Sequence, residues 1–518
     1  MTDLVGAWAD ERPDDVVAVE RHGRRRSLTV GALVARAERL AAGLVAAGAS
    51  AERPIIGWLP NRLEWVELIA AAGRLGAPIV GLNTRYRSDE LRHVLQRSNA
   101  GVLVAVDEFA GIRFGQVAAP AGRIGLLSVV VADGTVDPAW AELGCPVTAW
   151  DELAVDAPAS HAPVPSDFLI AFTTSGTTGF PKLAVHDQAG VVGHALDDAA
   201  AFDVRPGDRL LLDLPLCGTF GFSSLLAALG GRATTLLDER FDPRDSARAI
   251  AEEAITHYNA SDDMVLHVLD TGLVRGGEHV WREGALANFA NAARTAADRA
   301  ERIGVRLTGV YGMSEVFALL ARWPATMDVA ARSRSGGIPV GGTEVRVIDP
   351  DDGAVQAVGV DGELCFRGPV VLRRYLGDDA ATAAALGDDG WFRSGDLGRL
   401  TGDGGFEFLA RLGDSLRLRG FLVDPAEIEQ RLETHAAVGL AQVVAAERPG
   451  RGQVAVAFVR LSEPASEEEL RQHCAAGLAD FKVPERIVAV DEFPTVDGPN
   501  GVKILKRDLR AMAQGLVS

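Results

Sequence analysis

The stretch DFLIAFTTSGTTGFPK, residues 167–182, joins a hydrophobic run to a short segment of threonines, serine and glycines. The hydrophobic run predicts a buried strand, so the polar segment begins at that strand's carboxyl end. Ligands of open α/β sheets bind at this edge. The glycines let the backbone approach a ligand, and the hydroxyls, the N–H groups and Lys182 can donate hydrogen bonds to phosphate oxygens. The stretch therefore predicts a phosphate-binding loop. Its spacing is not that of a Walker loop, and a flexible surface loop is the alternative.

Strands and helices alternate along the chain before and after this loop. Residues 28–48 predict an amphipathic helix, because Leu33, Ala37, Leu40 and Leu44 recur at helical spacing. Strands are predicted at PIIGWLP, PIVGLN, GVLVAV and RLLLDLP, and helices at LEWVELIAAAGRLG and DELRHVLQRSNA. This alternation is typical of a parallel sheet with helices on both faces.

The pattern of predicted elements changes towards the end of the chain. From about Gly337, glycines and Asp-Gly turns separate short strands such as TEVRVID, GELCFRG and GGFEFLA, which indicates a β-rich segment. Beyond residue 425, AEIEQRLETHAAVGLAQVVAAE and SEEELRQHCAAGLADF predict helices around the short strands QVAVAFVRL and ERIVAVDEF. These residues predict a small α+β unit of about a hundred residues.

Length and charge limit the possible classes of protein. A chain of 518 residues is long enough for two or three packed units. Its net charge of −19 argues against a nucleic-acid or membrane-surface partner, since such proteins need a basic face. The four cysteines lack metal-ligand or redox spacing, and the sequence has no secretory signal and no apolar run of about 18 residues. We therefore expect a cytoplasmic protein. Whether it is a monomer or a homodimer stays open.

Five further motifs follow the loop. They are YGMSE (residues 311–315), GELCFRGPVVLRRYLGD, GWFRSGDLG, RLGDSLRLRGFLVDPAEIE (residues 411–429) and DGPNGVKILKRDLR (residues 497–510). Together with the loop they resemble, in the same order, the motifs of the adenylate-forming superfamily: acyl-CoA synthetases, adenylation domains of peptide synthetases and beetle luciferases. The resemblance covers about residues 28–510. In the loop only Leu183 departs, where the family usually has glycine.

The resemblance implies an α/β fold with a β-rich subdomain. It implies a large N-terminal domain over residues 1–411 that binds AMP and the acyl group, and a small, mobile α+β C-terminal domain over residues 412–518. It also implies ATP, Mg²⁺ and coenzyme A as cofactors and cosubstrates. The expected partners are thus a small carboxylic acid, or its adenylate, and CoA.

Residue roles follow from the matching motifs. The catalytic residues implied are Lys503, Glu315, Thr174 and Lys182, with Glu315 also the Mg²⁺ ligand. The nucleotide-binding residues implied are Thr173, Ser175, Gly176, Thr177, Thr178, Gly179, Gly284, Tyr311, Gly312, Ser314, Asp396 and Arg411. The acyl pocket would include Cys217, Gly218, Phe220 and Gly221, the CoA channel Arg417 and Gly420, and the hinge Gly413.

The reaction that the resemblance implies has two steps. A carboxylate attacks the α-phosphate of ATP and forms an acyl-adenylate with release of pyrophosphate, and a thiol then displaces AMP. Amino-acid-activating members carry an aspartate near the segment LPLCGTFGF, and no acidic residue occurs in it here. The sequence therefore favours an acyl-CoA ligase for a bulky, mainly apolar acid that is not an amino acid.

Departures from the family pattern leave alternatives open. Gly218 stands where histidine is common, and Gly413 where aspartate or lysine is usual. Glu283 brings a carboxylate near the expected nucleotide site, and like-charge repulsion would disfavour ATP there. Val502 separates Lys503 from the preceding glycine, so Lys506 is the fallback for the catalytic lysine.

These departures allow two other readings of the function: a ligase that only converts a supplied adenylate to the thioester, or a non-catalytic homologue that binds nucleotide or acyl ligand. A luciferase-like oxygenase is a further possibility that the residues do not distinguish. His186 and His257, close in sequence to the expected site, could contact a ligand or lie in the core.

Overall fold

The computed structural model describes residues 1–23, 25–133, 136–156, 161–174, 181–289, 292–350, 352–412, 416–419, 421–423, 425–498, 501–504 and 506–517. They form two compact units. The first comprises residues 1–84, 95–173 and 183–412, and the second comprises residues 85–94, 174–182 and 413–518. The largest segment of the second unit begins after residue 412, whereas the sequence predicts a domain boundary after residue 411.

The helices are, in chain order, α1 (Thr2–Glu11), α2 (Val30–Ala46), α3 (Leu63–Leu75), α4 (Ser88–Ser98), α5 (Phe114–Ala121), α6 (Trp150–Leu153), α7 (Gln188–Ala201), α8 (Thr219–Gly230), α9 (Pro243–Glu252), α10 (Asp262–Asp270), α11 (Ala293–Arg302), α12 (Val329–Arg332), α13 (Asp379–Ala385), α14 (Pro425–Glu433), α15 (Glu467–Gly477) and α16 (Lys506–Val517).

The strands are, in chain order, β1 (Val16–Glu20), β2 (Arg26–Thr29), β3 (Ile55–Trp58), β4 (Ile79–Gly81), β5 (Val102–Ala105), β6 (Glu108–Phe109), β7 (Ile112–Arg113), β8 (Ser128–Val131), β9 (Val147–Ala149), β10 (Phe168–Thr174), β11 (Lys182–Asp187), β12 (Arg209–Leu212), β13 (Thr234–Leu237), β14 (His257–Tyr258), β15 (Ala260–Ser261), β16 (Glu283–Ala287), β17 (Arg306–Met313), β18 (Phe317–Arg322), β19 (Gly336–Pro339), β20 (Glu344–Ile348), β21 (Gly362–Arg367), β22 (Arg374–Tyr375), β23 (Phe392–Leu400), β24 (Phe406–Arg411), β25 (Leu416–Leu418), β26 (Phe421–Val423), β27 (Val438–Arg448), β28 (Gly452–Leu461), β29 (Arg486–Ala489), β30 (Thr495–Gly498) and β31 (Gly501–Ile504).

Two large sheets organise the first unit. In the described part of the chain, eight strands follow the order β22-β11-β10-β4-β3-β5-β8-β9, and the pairs from β10 to β9 are parallel. A second sheet begins β2-β1-β13-β12-β14-β16-β17 and continues through β18 and β19 to β24, β23, β21 and β20. Its pairs from β1 to β17 are parallel, and those from β17 to β20 are antiparallel. The predicted parallel sheet and the β-rich segment after about Gly337 are both confirmed.

Local sequence signals account for many of the helices. Thr29 caps α2 through its side chain, which accepts from the N–H of Ala32, and the predicted apolar face of α2 is buried. In α3 almost every residue is buried, because the helix packs between other elements rather than facing solvent. Gly76 ends α3 with φ at +72°, the left-handed conformation that glycine adopts most easily.

The second unit contains an antiparallel pair, β27 with β28, and β29 alongside β28. Helix α16 packs on this sheet, where Leu509 and Ala513 meet Val444 and Phe458. The helix predicted through residues 438–447 is wrong, since these residues belong to β27. The alanine-rich composition favours a helix locally, but pairing with β28 over the whole length of β27 overrides it.

Among the described residues, no helix combines the length and the apolar character that crossing a bilayer requires. All four cysteines are free thiols, and Cys217, Cys365 and Cys474 are buried. This agrees with the interpretation of the cysteines as small core residues rather than as ligands or disulfide partners.

Candidate active site

The strand that leads to the phosphate loop is β10, which lies inside the eight-stranded sheet. Its residues from Leu169 to Phe172 are fully buried, as predicted, and Phe172 pairs with Gly81 of the parallel strand β4. Thr173 donates from its hydroxyl to the carbonyl of Gly81 at 3.5 Å. Because β10 and β4 are parallel, the loop begins at the sheet edge where the carboxyl ends of the strands meet.

The loop itself is described only at its two ends. Thr174 ends β10 and Lys182 begins β11, and both belong to the second unit. The predicted phosphate-binding residues between them lie outside the described residues: Ser175, Gly176, Thr177, Thr178 and Gly179.

Two residues from distant motifs meet in the first unit. The hydroxyl of Tyr311 donates to a carboxylate oxygen of Asp396 at 2.6 Å, across 85 residues of sequence. Asp396 lies on β23 directly opposite Arg411 on β24. The three positions expected to contact adenine and ribose are thus neighbours, although the side chain of Arg411 lies outside the described part of the structure.

The Tyr311 ring is fixed by other aromatic rings. It lies 5.1–5.8 Å from the ring centroids of Phe366, Phe406 and Phe408. The next residue, Gly312, is kept small by the neighbouring strand, because a Cβ there would overlap the backbone of Phe317 and Ala318. A tight backbone approach between β17 and β18 therefore requires this glycine, whatever it does towards the nucleotide.

The carboxylate of Glu315 is buried, with 5% of the residue exposed. Tyr375 donates from its hydroxyl to this carboxylate at 2.8 Å, and the N–H of Leu372 donates to the Glu315 carbonyl at 2.7 Å. Tyr375 was not among the site residues predicted from the sequence. Tyr375 lies within the motif GELCFRGPVVLRRYLGD, so the motif could have indicated a site residue here, but it could not show that Tyr375 contacts Glu315.

The single carboxylate of Glu315 fits a Mg²⁺ ion whose other ligands come from a bound nucleotide and water. In the part of the chain that the structure describes, no group of three or more His, Cys, Asp or Glu side chains could hold a metal ion. Mg²⁺ at nucleotide sites is usually held by one or two carboxylates together with phosphate oxygens and water. A single oriented carboxylate at Glu315 is therefore the kind of ligand that a nucleotide-bound Mg²⁺ takes.

The predicted acyl segment lies between β12 and the first turn of α8. The buried side chain of Asn61 fixes this segment: its amide donates to the carbonyls of Leu214 and Asp238 at 2.9 and 3.0 Å, and its oxygen accepts from the N–H of Leu216 at 2.8 Å. Cys217 is buried, and burial raises the pKa of its thiol to about 12, so it stays protonated.

The two glycines of this segment have different reasons to be glycine. A Cβ at Gly218 would have the carbonyl oxygen of Pro215 at 3.5 Å as its one near neighbour among the described residues. A Cβ at Gly221 would lie 2.6 Å from the carbonyl oxygen of Leu214 and closer still to that of Pro215. Gly218 therefore leaves room for a side chain or a ligand, whereas the close approach of the loop requires Gly221.

The two phenylalanines of the segment differ in burial. Phe222 is fully buried, and its ring meets that of Phe172 edge-on at 5.3 Å. Phe220 is only partly buried and packs against an apolar cluster that includes Ala285, Val310 and Leu319. Since Val310 precedes Tyr311, this cluster joins the acyl segment to the strand that carries the nucleotide-binding motif.

A buried carboxyl group precedes the acyl segment. Burial raises the pKa of Asp213 to about 7, although Ser246 and Tyr258 donate hydrogen bonds to one of its oxygens, at 2.8 and 2.9 Å. The group is thus about half protonated at pH 7, and it adds less negative charge to this end of the segment than an ordinary aspartate would.

The carboxylate of Glu283, which the sequence places near the nucleotide, is paired. It accepts from the guanidinium of Arg322 at 2.6 Å, and both side chains are buried. Arg322 therefore compensates the charge that the sequence analysis expected to repel ATP. Gly284 follows on β16, where a Cβ would overlap the carbonyl oxygen of Tyr258, so close strand packing also requires this glycine.

In the second unit, the structure describes only part of the predicted site. Lys503 lies on β31 opposite Val496, and Arg417 lies on β25 opposite Leu422. The side chains of Lys503 and Arg417 lie outside the described part of the structure, as do Gly413 and Gly420. The fallback lysine, Lys506, lies 3.5 Å from the carboxylate of Glu429.

Comparison with known proteins gives matches over nearly the whole chain. A family model described as AMP-binding enzyme matches residues 5–376, and one described as AMP-binding enzyme C-terminal domain matches residues 427–497. The chain is 31% identical to a feruloyl-CoA synthase of an Amycolatopsis species, over 98% of each chain. It is also 31% identical to a Mycobacterium tuberculosis CoA ligase for a methyl-dioxo-octahydroindenyl propanoyl group, over 88% of each chain.

A solved structure extends these matches to three dimensions. A double mutant of o-succinylbenzoate CoA synthetase from Bacillus subtilis, bound to a product analogue, superposes with a TM-score of 0.83 at 25% identity, over 98% of each chain. The expected fold class, mixed sheets and helices with a large N-terminal and a small C-terminal domain, is thereby confirmed.

Proposed function

The chain belongs to the family of AMP-binding enzymes and is an AMP-forming acid–thiol ligase, and on that premise we propose which residues act and which acids it accepts. It converts a carboxylic acid through an acyl-adenylate to an acyl-CoA, with ATP and CoA as cosubstrates. The observation that carries the residue assignment is the contact between Tyr311 and Asp396, which joins two nucleotide motifs 85 residues apart.

In the first step, a carboxylate oxygen of the acid attacks the α-phosphorus of ATP. A new P–O bond forms, and the bond to pyrophosphate breaks. Tyr311 and Asp396 hold the adenosine, and the hydroxyl of Ser314 and the ammonium of Lys503 stabilise charge on the α-phosphate. Glu315 would hold Mg²⁺, which when bound neutralises phosphate charge. The loop from Thr173 to Lys182 would hold the pyrophosphate.

In the second step, the CoA thiol gives up its proton to solvent, its thiolate sulfur attacks the acyl carbon, and AMP leaves with the electron pair of the broken C–O bond. No charged catalytic side chain is needed at the acyl carbon, because the acyl-adenylate is already activated and AMP is a good leaving group. Positioning of the thiol then dominates the rate. Gly420 and Arg417 belong to the segment that we assign to the CoA channel.

The acid itself is proposed to carry an aromatic or fused-ring apolar group. Phe220, which packs against the buried apolar cluster of Ala285, Val310 and Leu319, would give the pocket an apolar wall, and the space beside Gly218 would give it room. The related feruloyl-CoA synthase and the octahydroindenyl ligase act on acids of this kind. The acyl segment lacks an acidic residue that could pair with the ammonium of an amino acid.

The pairing of Glu283 with Arg322 bears on the alternative of a ligase that lacks the first step. That alternative drew partly on repulsion between Glu283 and the phosphates of ATP. With Arg322 at 2.6 Å, the local charge of the pair is close to zero. The full two-step reaction is therefore the function that the geometry supports best.

The test is acyl-CoA formation, measured by mass spectrometry over a panel of acids with ATP, Mg²⁺ and CoA. The panel contains hydroxycinnamic, bicyclic, straight-chain and amino acids at equal concentration. The proposal expects the highest kcat/KM for ring-containing acids and no thioester from amino acids. A clear preference for amino acids or for short straight-chain acids would contradict the assigned pocket.

A further inference from the structure

The turn that carries Ser314 and Glu315 connects β17 to β18 and contains an unusual backbone conformation. Met313 and Phe317 face each other across the hairpin, and the N–H of Val316 donates to the carbonyl of Met313 at 3.1 Å. Phe317 has φ at +62°. Short hairpin loops often need one residue in this left-handed region, and glycine usually takes it. A bulky side chain at such a φ is an outlier, which is found where surrounding contacts enforce it.

Two buried histidines enclose the ring of Phe317. The imidazole of His186 lies 4.2 Å from its centroid, and that of His194 stacks at 4.5 Å with an angle of 20° between the planes. At most 1% of any of these three residues is exposed. His194 is fixed in turn by the hydroxyl of Ser223, 3.0 Å from its Nε2. Phe317 therefore cannot swing away without vacating a filled site in the core.

His186 also binds the backbone of the turn. Its Nε2 lies 2.8 Å from the carbonyl oxygen of Ser314. Since a carbonyl only accepts, Nε2 must carry the proton and donate it. Burial lowers the pKa of His186 to about 4, so the ring is neutral near pH 7, with a single N–H that this bond uses.

The turn is also held by the contacts to Glu315 already described, from Tyr375 and from the N–H of Leu372. Ser314 and Glu315 thus lie on a three-residue turn whose backbone is bound at two carbonyls, that of Ser314 by His186 and that of Glu315 by Leu372. His186 is bound directly to the residue that precedes the proposed metal ligand.

We propose that His186, acting with Phe317, is a positioning residue that fixes the Ser314–Glu315 turn for binding of the Mg²⁺-bound triphosphate of ATP. This inference rests on the proposed function, since it assigns a role towards the ATP that the ligase uses. His186 itself touches neither nucleotide nor metal in this account. It acts through the carbonyl of Ser314.

The experiment measures ATP binding to the purified full chain by calorimetry, with Mg²⁺ and with EDTA. The ratio of the two affinities is the Mg²⁺ enhancement, and it requires no knowledge of the acid. The variants are His186→Leu, which removes the donor, and His186→Gln, whose side-chain amide can donate in place of Nε2. The control is His257→Leu. His257 is equally buried, and its Nε2 binds the carbonyl of Phe202 at 2.9 Å, away from the turn.

We expect His186→Leu to lower the Mg²⁺ enhancement about three- to tenfold, the range that corresponds to loss of one hydrogen bond. His186→Gln should restore most of it, and His257→Leu should leave it unchanged, although urea unfolding should show both leucine variants to be less stable. An unchanged enhancement in His186→Leu would overturn the positioning role while leaving the proposed function in place. Failure of His186→Gln to restore it would also overturn this role. If the wild-type protein binds no ATP, the proposed function falls and the inference falls with it.

Discussion

The two glycines of the acyl segment give a matched pair of substitutions, Gly221→Ala and Gly218→Ala. At Gly221 the new Cβ would lie 2.6 Å from the carbonyl oxygen of Leu214, about 0.8 Å inside the 3.4 Å at which ordinary contact begins. The carbonyl oxygen of Pro215 lies closer still, and because both carbonyls are backbone groups, neither can rotate away from the new Cβ. Overpacking of this kind costs about 1–3 kcal/mol, and the gain from alanine in a helix offsets about 0.5–1 kcal/mol of it. We expect Gly221→Ala to lower the free energy of unfolding by about 1–2 kcal/mol.

Gly218→Ala should behave differently. Its backbone has φ at −104°, which any residue adopts, and its nearest neighbour would be 3.5 Å from the new Cβ. We expect its free energy of unfolding in urea to stay within about 0.5 kcal/mol of the wild type. The KM for the largest accepted acid should rise, because the methyl group enters the gap assigned to the ligand. Equal stability of the two variants would refute the distinction between Gly218 and Gly221, and an unchanged KM in Gly218→Ala would refute the placement of the pocket.

Three further experiments test buried polar contacts. Tyr375→Phe removes the donor to Glu315 and should cost about 1–3 kcal/mol of stability while raising the KM for MgATP more than that for CoA, as steady-state kinetics would show; equal changes in the two KM values would contradict the role given to Glu315. Arg322→Met leaves Glu283 buried without its partner and should destabilise the protein by about 3–5 kcal/mol in urea unfolding, and adding Glu283→Gln should recover much of this loss; additive losses would contradict the pairing. Asp213 has a folded pKa raised to about 7, so its stabilising contribution is full below the unfolded pKa of about 4 and is lost as the pH rises through 7. Asp213→Asn should therefore lose less stability than the wild type between pH 4 and about 7, and parallel unfolding profiles would show that Asp213 does not titrate in this range.

Sequence periodicity was sufficient where an element is determined by its own residues. The face of α2 formed by Leu33, Ala37, Leu40 and Leu44 is buried as predicted, and Thr29 caps the helix. Both signals are local, since they depend on positions within four residues of each other. The same holds for β10, whose apolar run ends at the predicted loop.

Sequence periodicity gave the wrong prediction where pairing with a distant segment determines the secondary structure. Residues 438–448 are rich in alanine and valine, and their own preferences do not distinguish a helix from a strand. The strand forms because β28 pairs with it along its length and α16 covers one face. Neither partner can be identified from the residues of β27 alone, which is why the sequence predicted a helix there.

The candidate site shows the same division. Motif order pointed to Tyr311, Glu315 and Asp396, but it could not predict that Tyr311 donates to Asp396. Nor could it predict that Tyr375 donates to Glu315. These contacts join residues that lie 85 and 60 positions apart in the sequence, so neither follows from local spacing. The sequence also suggested repulsion at Glu283, because its partner Arg322 lies 39 residues away on another strand.

The central claim is that this chain makes both the acyl-adenylate and the thioester, with Lys503 acting in the first step only. The most direct measurement compares wild type and Lys503→Ala in two assays of thioester formation: from the free acid with ATP, Mg²⁺ and CoA, and from the preformed acyl-adenylate with CoA. The account predicts that wild type succeeds in both assays, and that Lys503→Ala loses the first assay and retains the second. A wild type that makes thioester only from the adenylate, or a Lys503→Ala variant that loses both assays equally, would contradict the account.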